Sequence, residues 1–160
     1  MKSLVYEAKD EQATAALGRA LAEVLPPGTT VALCGTLGAG KTRLVQAVAE
    51  GLGVDRNQVV SPTFVLIQEY QGRRPLFHLD AYRLRDEDEF LELGPDEYFE
   101  SEGITLVEWA DRVVDCLPAE HVNIHVEVTG SHARRFTISA TGASCGEVPR
   151  RLSERLADTD

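Results

Sequence analysis

Eight residues constrain this chain more than any others: Gly35-Thr36-Leu37-Gly38-Ala39-Gly40-Lys41-Thr42. They fill every fixed position of G-x-x-x-x-G-K-[ST], the pattern of a phosphate-binding loop. Before them, Thr29 to Cys34 form a short β-branched and apolar run that predicts a buried strand. After them, the stretch from Thr42 to Leu52 places Leu44, Val45, Ala47, Val48 and Leu52 at helical spacing. Strand, glycine loop and helix is the context such a loop requires. The glycines let backbone N–H groups curl around a phosphate, and the helix N-terminus adds partial positive charge. Lys41 is expected to bridge the β- and γ-phosphates, and the Thr42 hydroxyl to bind Mg²⁺. The chain has only Lys2, Lys9 and Lys41, so a chance glycine turn ending in lysine is a poor explanation.

The length, 160 residues, suits a single domain spanning 1–160 around one core. The N-terminal segment, Met1 to Glu7, lacks an apolar signal core, and no run is long enough to span a bilayer, so a cytoplasmic protein is expected. Cys34, Cys116 and Cys145 are widely spaced and include no C-x-x-C; buried packing is the expected role of Cys34, at the end of the strand that feeds the loop. Acidic residues outnumber basic ones by 26 to 16, a formal charge of −10. Unaided, tight binding to a nucleic acid backbone needs a basic face. That balance does not exclude a local basic patch: Arg73, Arg74, Arg83 and Arg85 cluster in sequence.

Elsewhere the pattern predicts a leading strand at Leu4–Glu7 and a helix capped by Asp10. That helix carries the stripe Ala13, Leu17, Ala20, Leu21 and Val24, and Pro26-Pro27-Gly28 stops it. Gly51 and Gly53 end the loop helix. Val59–Phe64 is strand-like, Val65–Tyr70 continues extended, Gly72-Arg73-Arg74 turns, and Leu76–Asp80 is another strand. Asp86 with Glu89 resembles a capping pair for a helix through Leu93, ended by Gly94-Pro95. Ile104–Val107 predicts a buried strand closed by Glu108-Trp109. Val122, Ile124, Val126 and Val128 alternate with polar residues, as do Phe136, Ile138 and Ala140 after the turn at Gly130-Ser131. Those two segments predict an antiparallel hairpin with one wet face, at a sheet edge. A short terminal helix carries Leu152 and Leu156. The expected fold is α/β, a three-layer P-loop NTPase-like sandwich with a mixed central sheet and a C-terminal antiparallel hairpin.

A phosphate loop needs a carboxylate at the tip of a nearby strand, to hold the Mg²⁺ water shell or orient attacking water. Asp80 and Glu108 are the candidates, and which of them contacts the metal stays open. Thr63, in Ser61-Pro62-Thr63-Phe64, is either an ordinary strand threonine or stands where nucleotide switches carry a γ-phosphate-sensing threonine. His78 is either a core imidazole or a site residue. Tyr82 and Arg83 suit a loop anchor, or Arg83 faces phosphate; Trp109, the single tryptophan, directly follows Glu108 and by itself reads as core rather than contact.

The succession GTLGAGKT (Gly35–Thr42), SPTF (Ser61–Phe64), HLDAYR (His78–Arg83) and VEWADR (Val107–Arg112) resembles the bacterial TsaE family, also called YjeE. One departure is Thr36, where an aspartate is expected. The resemblance implies a small ATPase with ATP and Mg²⁺ as cofactors, in the machinery that installs threonylcarbamoyladenosine on tRNA. It implies that Gly35, Thr36, Leu37, Gly38, Ala39, Gly40, Lys41 and Thr42 bind the nucleotide, with Trp109 close to it. It further implies that Thr63 belongs to a switch-like loop, that Asp80 is required for hydrolysis, and that Glu108 is a metal or water ligand. The implied partner is a TsaB–TsaD heterodimer, which ATP hydrolysis resets between turnovers, with tRNA met only through the partners. The main alternative is a small-molecule P-loop kinase, whose chemistry leaves SPTF and Glu108-Trp109 without a role. A GTPase is disfavoured because neither Asn57 nor Asn123 precedes a lysine, as the guanine-selecting N-K-x-D segment requires. A non-catalytic nucleotide-responsive module is the third alternative.

Overall fold

A computed structural model of the chain describes residues 3–35, 41–55, 67–82 and 84–157. Among the described residues, seven strands form one mixed sheet in the order β1-β7-β6-β2-β5-β4-β3. The strands are β1 (Ser3–Ala8), β2 (Thr30–Gly35), β3 (Ile67–Gln71), β4 (Pro75–Asp80), β5 (Ile104–Glu108), β6 (His121–Val128) and β7 (Arg134–Thr141). β6, β2, β5 and β4 are mutually parallel; β3 and β7 run against them, and β1, antiparallel to β7, returns to their direction.

Parallel strands buried on both faces read as continuous apolar runs. Ile104–Glu108 is buried at every position, and β4 at every position after Pro75. One face of the sheet packs under α1 (Glu11–Val24), α2 (Lys41–Gly51) and α5 (Val148–Ala157), around Leu17, Leu21, Val31, Leu33, Ile124 and Phe136. On the other face α3 (Glu87–Leu91), α4 (Asp96–Phe99) and a 3₁₀ segment (Ala110–Cys116) accompany a smaller cluster with Ala32, Phe77, Leu79, Phe90 and Val107. Among the described residues, the third layer therefore covers the part of the sheet around β2, β5 and β4.

Local chemistry accounts for the helix ends. Asp10 Oδ1 accepts the Ala13 N–H at 2.8 Å, and Asp86 Oδ1 accepts that of Glu89 at 2.9 Å. Such caps satisfy donors that a helix leaves open. Glu89 is not the reciprocal half of that second cap, because its carboxylate takes a 2.7 Å bond from Arg85. Helices α1 and α2 approach closely through small residues. A Cβ on Gly18 would lie 2.3 Å from Ala47 Cβ, and one on Gly51 would lie 2.6 Å from Ala22 Cβ.

Three expectations need correction. The β6–β7 hairpin does have one wet face, but it is not at the edge: β6 pairs with β2, and β1 adds to β7 as the outer strand. The helix after Asp86 ends at Leu91 rather than Leu93, and a further short helix, α4, for which the sequence offered no expectation, starts after Pro95. The basic run disperses. Arg74 donates to Leu25 O at 2.7 Å and Ala22 O at 2.8 Å, Arg73 to Gly51 O, so both serve the carboxyl ends of helices. Arg85 pairs with Glu89. The expected strand at 59–64 lies outside the described residues, as does Arg83.

Candidate functional site

The sheet carries β2, β4 and β5 in one direction, so their carboxyl ends meet along one rim. Gly35 ends β2, Asp80 ends β4, and Glu108 ends β5. Asp80 and Glu108 are register partners on adjacent strands. Alternation puts His78, Asp80, Leu106 and Glu108 on the face that bears α2, whose first residues are Lys41 and Thr42. Gly35 is there for space: a Cβ would meet the Val126 carbonyl oxygen at 2.7 Å.

Three charged side chains are buried here: Lys41 is 4% exposed, Glu108 4% and Asp80 9%. Lys41 Nζ donates to Gly35 O at 2.9 Å and lies 3.5 Å from the centre of the Trp109 ring. Burial lowers the Lys41 pKa, against the attraction of Glu108, Asp111, Cys34 and Asp80. Burial likewise raises that of Asp80; the Tyr82 N–H, donated to Oδ1 at 2.9 Å, opposes the shift, and Glu108 reinforces it. Lys41 and Asp80 thus sit in a medium that disfavours their charge, partly offset by opposite charges nearby.

Trp109 adopts a left-handed backbone at φ 59°, ψ 37°, the one non-glycine residue with positive φ among the described residues. Strained conformations of this kind gather at functional sites. The turn carries the indole over the rim, where it stacks on Tyr82 at 4.8 Å between centroids. Arg112 lies 5.5 Å from the Tyr82 ring and donates to the carbonyls of Tyr82 at 2.8 Å and Leu84 at 3.2 Å. The loop after β4 is thereby tied to the loop after β5. Cys34, half-buried with a raised pKa from desolvation, fits the packing role expected of it.

Lys41, Thr42, Gly35, Asp80, Glu108 and Trp109 therefore meet at one rim, while Thr36, Leu37, Gly38, Ala39, Gly40 and Thr63 lie outside the described residues. One residue that the sequence leaves open takes a place at the site, and one neighbouring cavity has no signal in the sequence. His78, left undecided, bonds Glu108 at 2.5 Å. A cavity of about 270 Å³ at the same end of the sheet is lined by Glu11, Thr14, Arg43, Ser131, His132 and Arg134. Its residues come from α1, α2 and the β6–β7 turn, and no local motif joins them. Arg43 Nη1 is buried there with no partner among the described residues.

The fold and rim together define a P-loop-type α/β protein: a mixed sheet with a glycine loop and a lysine-bearing helix following a central parallel strand. The chain belongs to the TsaE family, whose model, described as threonylcarbamoyl adenosine biosynthesis protein TsaE, matches residues 8–136. Among curated proteins, it is 43% identical to the tRNA threonylcarbamoyladenosine biosynthesis protein TsaE of Bacillus subtilis over 143 residues, 89% of each chain. It is 37% identical to that of Treponema pallidum, over 82% of this chain and 96% of the other. The crystal structure of Bacillus subtilis YdiB superposes with a TM-score of 0.78 at 35% identity, covering 99% of this chain and 97% of that one.

Proposed function

We propose that this protein is a Mg²⁺-dependent ATPase acting with the TsaB–TsaD heterodimer in the formation of threonylcarbamoyladenosine on tRNA. Hydrolysis would reset the complex between turnovers. The observation that carries the reading is the burial of Lys41, Asp80 and Glu108 together at the rim where β2 runs into α2. Membership of a family whose curated members are tRNA threonylcarbamoyladenosine biosynthesis proteins supports the pathway.

The donor set suits the metal. Mg²⁺ takes hard oxygen ligands and is commonly held by one or two carboxylates together with substrate phosphates. The Thr42 hydroxyl and the Asp80 and Glu108 carboxylates supply such oxygens at one rim. When bound, the ion would neutralise charge on the phosphates and polarise the bond to be cleaved. Lys41 is a buried cation that gains from an anionic neighbour, and a polyphosphate provides one. The Gly35–Gly40 backbone would cradle it, with Thr63 in a switch-like loop. Asp80 and Glu108 would hold the metal's water and orient the attacking one, and the Trp109–Tyr82–Arg112 stack would fix the loops that keep bulk water out.

Direct contact with tRNA finds little support at the surface. Residues 86–102 hold nine carboxylates and no Lys or Arg, so the layer of α3 and α4 repels phosphate. Partner-mediated action in the cytoplasm fits that charge. Among the described residues, no helix is long and apolar enough to cross a membrane.

The test is Mg²⁺-dependent phosphate release from ATP with and without the TsaB–TsaD heterodimer. Stimulation by the partners is expected, and Lys41→Ala should weaken ATP binding by calorimetry and reduce turnover by at least about 100-fold. Hydrolysis indifferent to the partners, or binding unchanged in Lys41→Ala, would count against the reading.

A further inference from the structure

His78 lies in the middle of β4, wholly removed from solvent. Parallel pairing with β5 sets Leu106 beside it and Glu108 beside Asp80. Its Nε2 is 2.5 Å from Oε2 of Glu108, whose side chain is 5% exposed. Nδ1 is also buried, with no partner among the described residues. An ionised carboxylate only accepts, so Nε2 carries a proton and donates it. An imidazole needed only for bulk has no reason to aim one nitrogen at a strand-tip carboxylate. Leucine fills a similar space without burying a polar atom.

We propose that His78 is the positioning residue of Glu108. The inference rests on the reading of the rim as a Mg²⁺–nucleotide site. Nε2–H holds one carboxylate oxygen and leaves the other to the metal or its water. Asp80 has a donor of its own, the Tyr82 N–H, while the side-chain donor to Glu108 among the described residues is His78. With two carboxylates at paired register positions repelling each other, each needs such a donor to stay aimed at the rim. Ligands held by an outer partner in this way lose much of their affinity when that partner is removed.

Trp109 permits a test without turnover, because the single tryptophan follows Glu108 and lies against Lys41 Nζ. Its emission is recorded while Mg²⁺ is titrated into ADP-saturated protein, for wild type, His78→Gln and His78→Leu. The glutamine amide keeps a donor near the place of Nε2, and leucine does not. ADP affinity in EDTA should be alike in all three. The Mg²⁺ concentration for half response should rise about 10- to 100-fold in His78→Leu and stay within about threefold of wild type in His78→Gln. In a Glu108→Ala background, His78→Leu should add nothing. If the leucine variant does not fold, His78→Asn, whose shorter amide falls short of Glu108, takes its place.

Equal weakening in the glutamine and leucine variants would overturn the positioning role, as would an undiminished loss on top of Glu108→Ala or no loss in His78→Leu. A wild-type protein whose Trp109 gives no Mg²⁺-dependent response would instead overturn the nucleotide reading of the rim, and this proposal with it.

Discussion

Along β2, β5 and β4 the sheet is buried on both faces, whereas along β6, β7 and β1 the helices cover one face and leave the other to water. On the open face, Arg135 reaches Glu7 at 2.5 Å and Glu127 at 3.6 Å, and all three side chains are about half exposed. In the covered half, His78, Asp80 and Glu108 are almost wholly desolvated. A charge costs little to hold in the first setting and much in the second, where each needs a named partner. The half that is expensive to build is the half that carries the candidate chemistry.

The largest contrast between the halves should appear in packing. Leu79 is fully buried under the third layer, so Leu79→Ala should cost about 2–5 kcal/mol in urea unfolding. A cost below 1 kcal/mol would mean that the second cluster is not a true core. The helix layer common to both halves comes next. Gly18→Ala puts a methyl against Ala47, and about 1–3 kcal/mol should be lost by the same measurement as α1 and α2 separate. A stabilised variant would show that the helices have room to part.

Asp80 sharpens the comparison through pH. Burial lifts its pKa in the folded chain above the unfolded value near 3.9, so the folded state binds the extra proton in the window between the two. Stability therefore falls as pH rises through that window. Asp80→Asn removes the dependence. Without metal or nucleotide, the variant should melt higher than wild type at pH 8, and the advantage should vanish below about pH 4. Equal melting temperatures at both ends would remove the claim that this carboxylate is held at a cost. The smallest effect belongs to Thr137, which shares the sheet face of Leu79 but on open β7. Thr137→Ala should change stability by less than about 0.5 kcal/mol.

The two halves also differed in how far they could be read. Strict alternation in Val122–Val128 and Phe136–Ala140 announced strands with one wet face, and the apolar runs before Gly35 and Glu108 announced strands with none. Asp10 and Asp86 announced helix starts, because a short side-chain acceptor next to orphaned N–H groups acts locally. Alternation says which face is wet but nothing about which strand lies alongside. The neighbours of the hairpin were misjudged for that reason: β1, more than 120 residues before β7, occupies the edge. Helix α4 was missed because Gly94-Pro95 reads as a stop, although proline also starts helices well. Arg73 and Arg74 cluster with Arg83 and Arg85 in sequence, which says nothing of their partners; the turn places both beneath helix ends.

By itself the sequence determined the loop with Lys41 and Thr42, the candidate carboxylates at two strand ends, and the family to which the chain belongs. These follow from spacing within a few residues, where backbone geometry leaves few choices. The tertiary structure alone decided that Asp80 and Glu108 are register partners, that Trp109 turns left-handed onto Lys41 and Tyr82, and that His78 holds Glu108. Each of these joins residues of different strands and loops. Such pairings are settled by which chains share a core and which charges must find partners once water is gone.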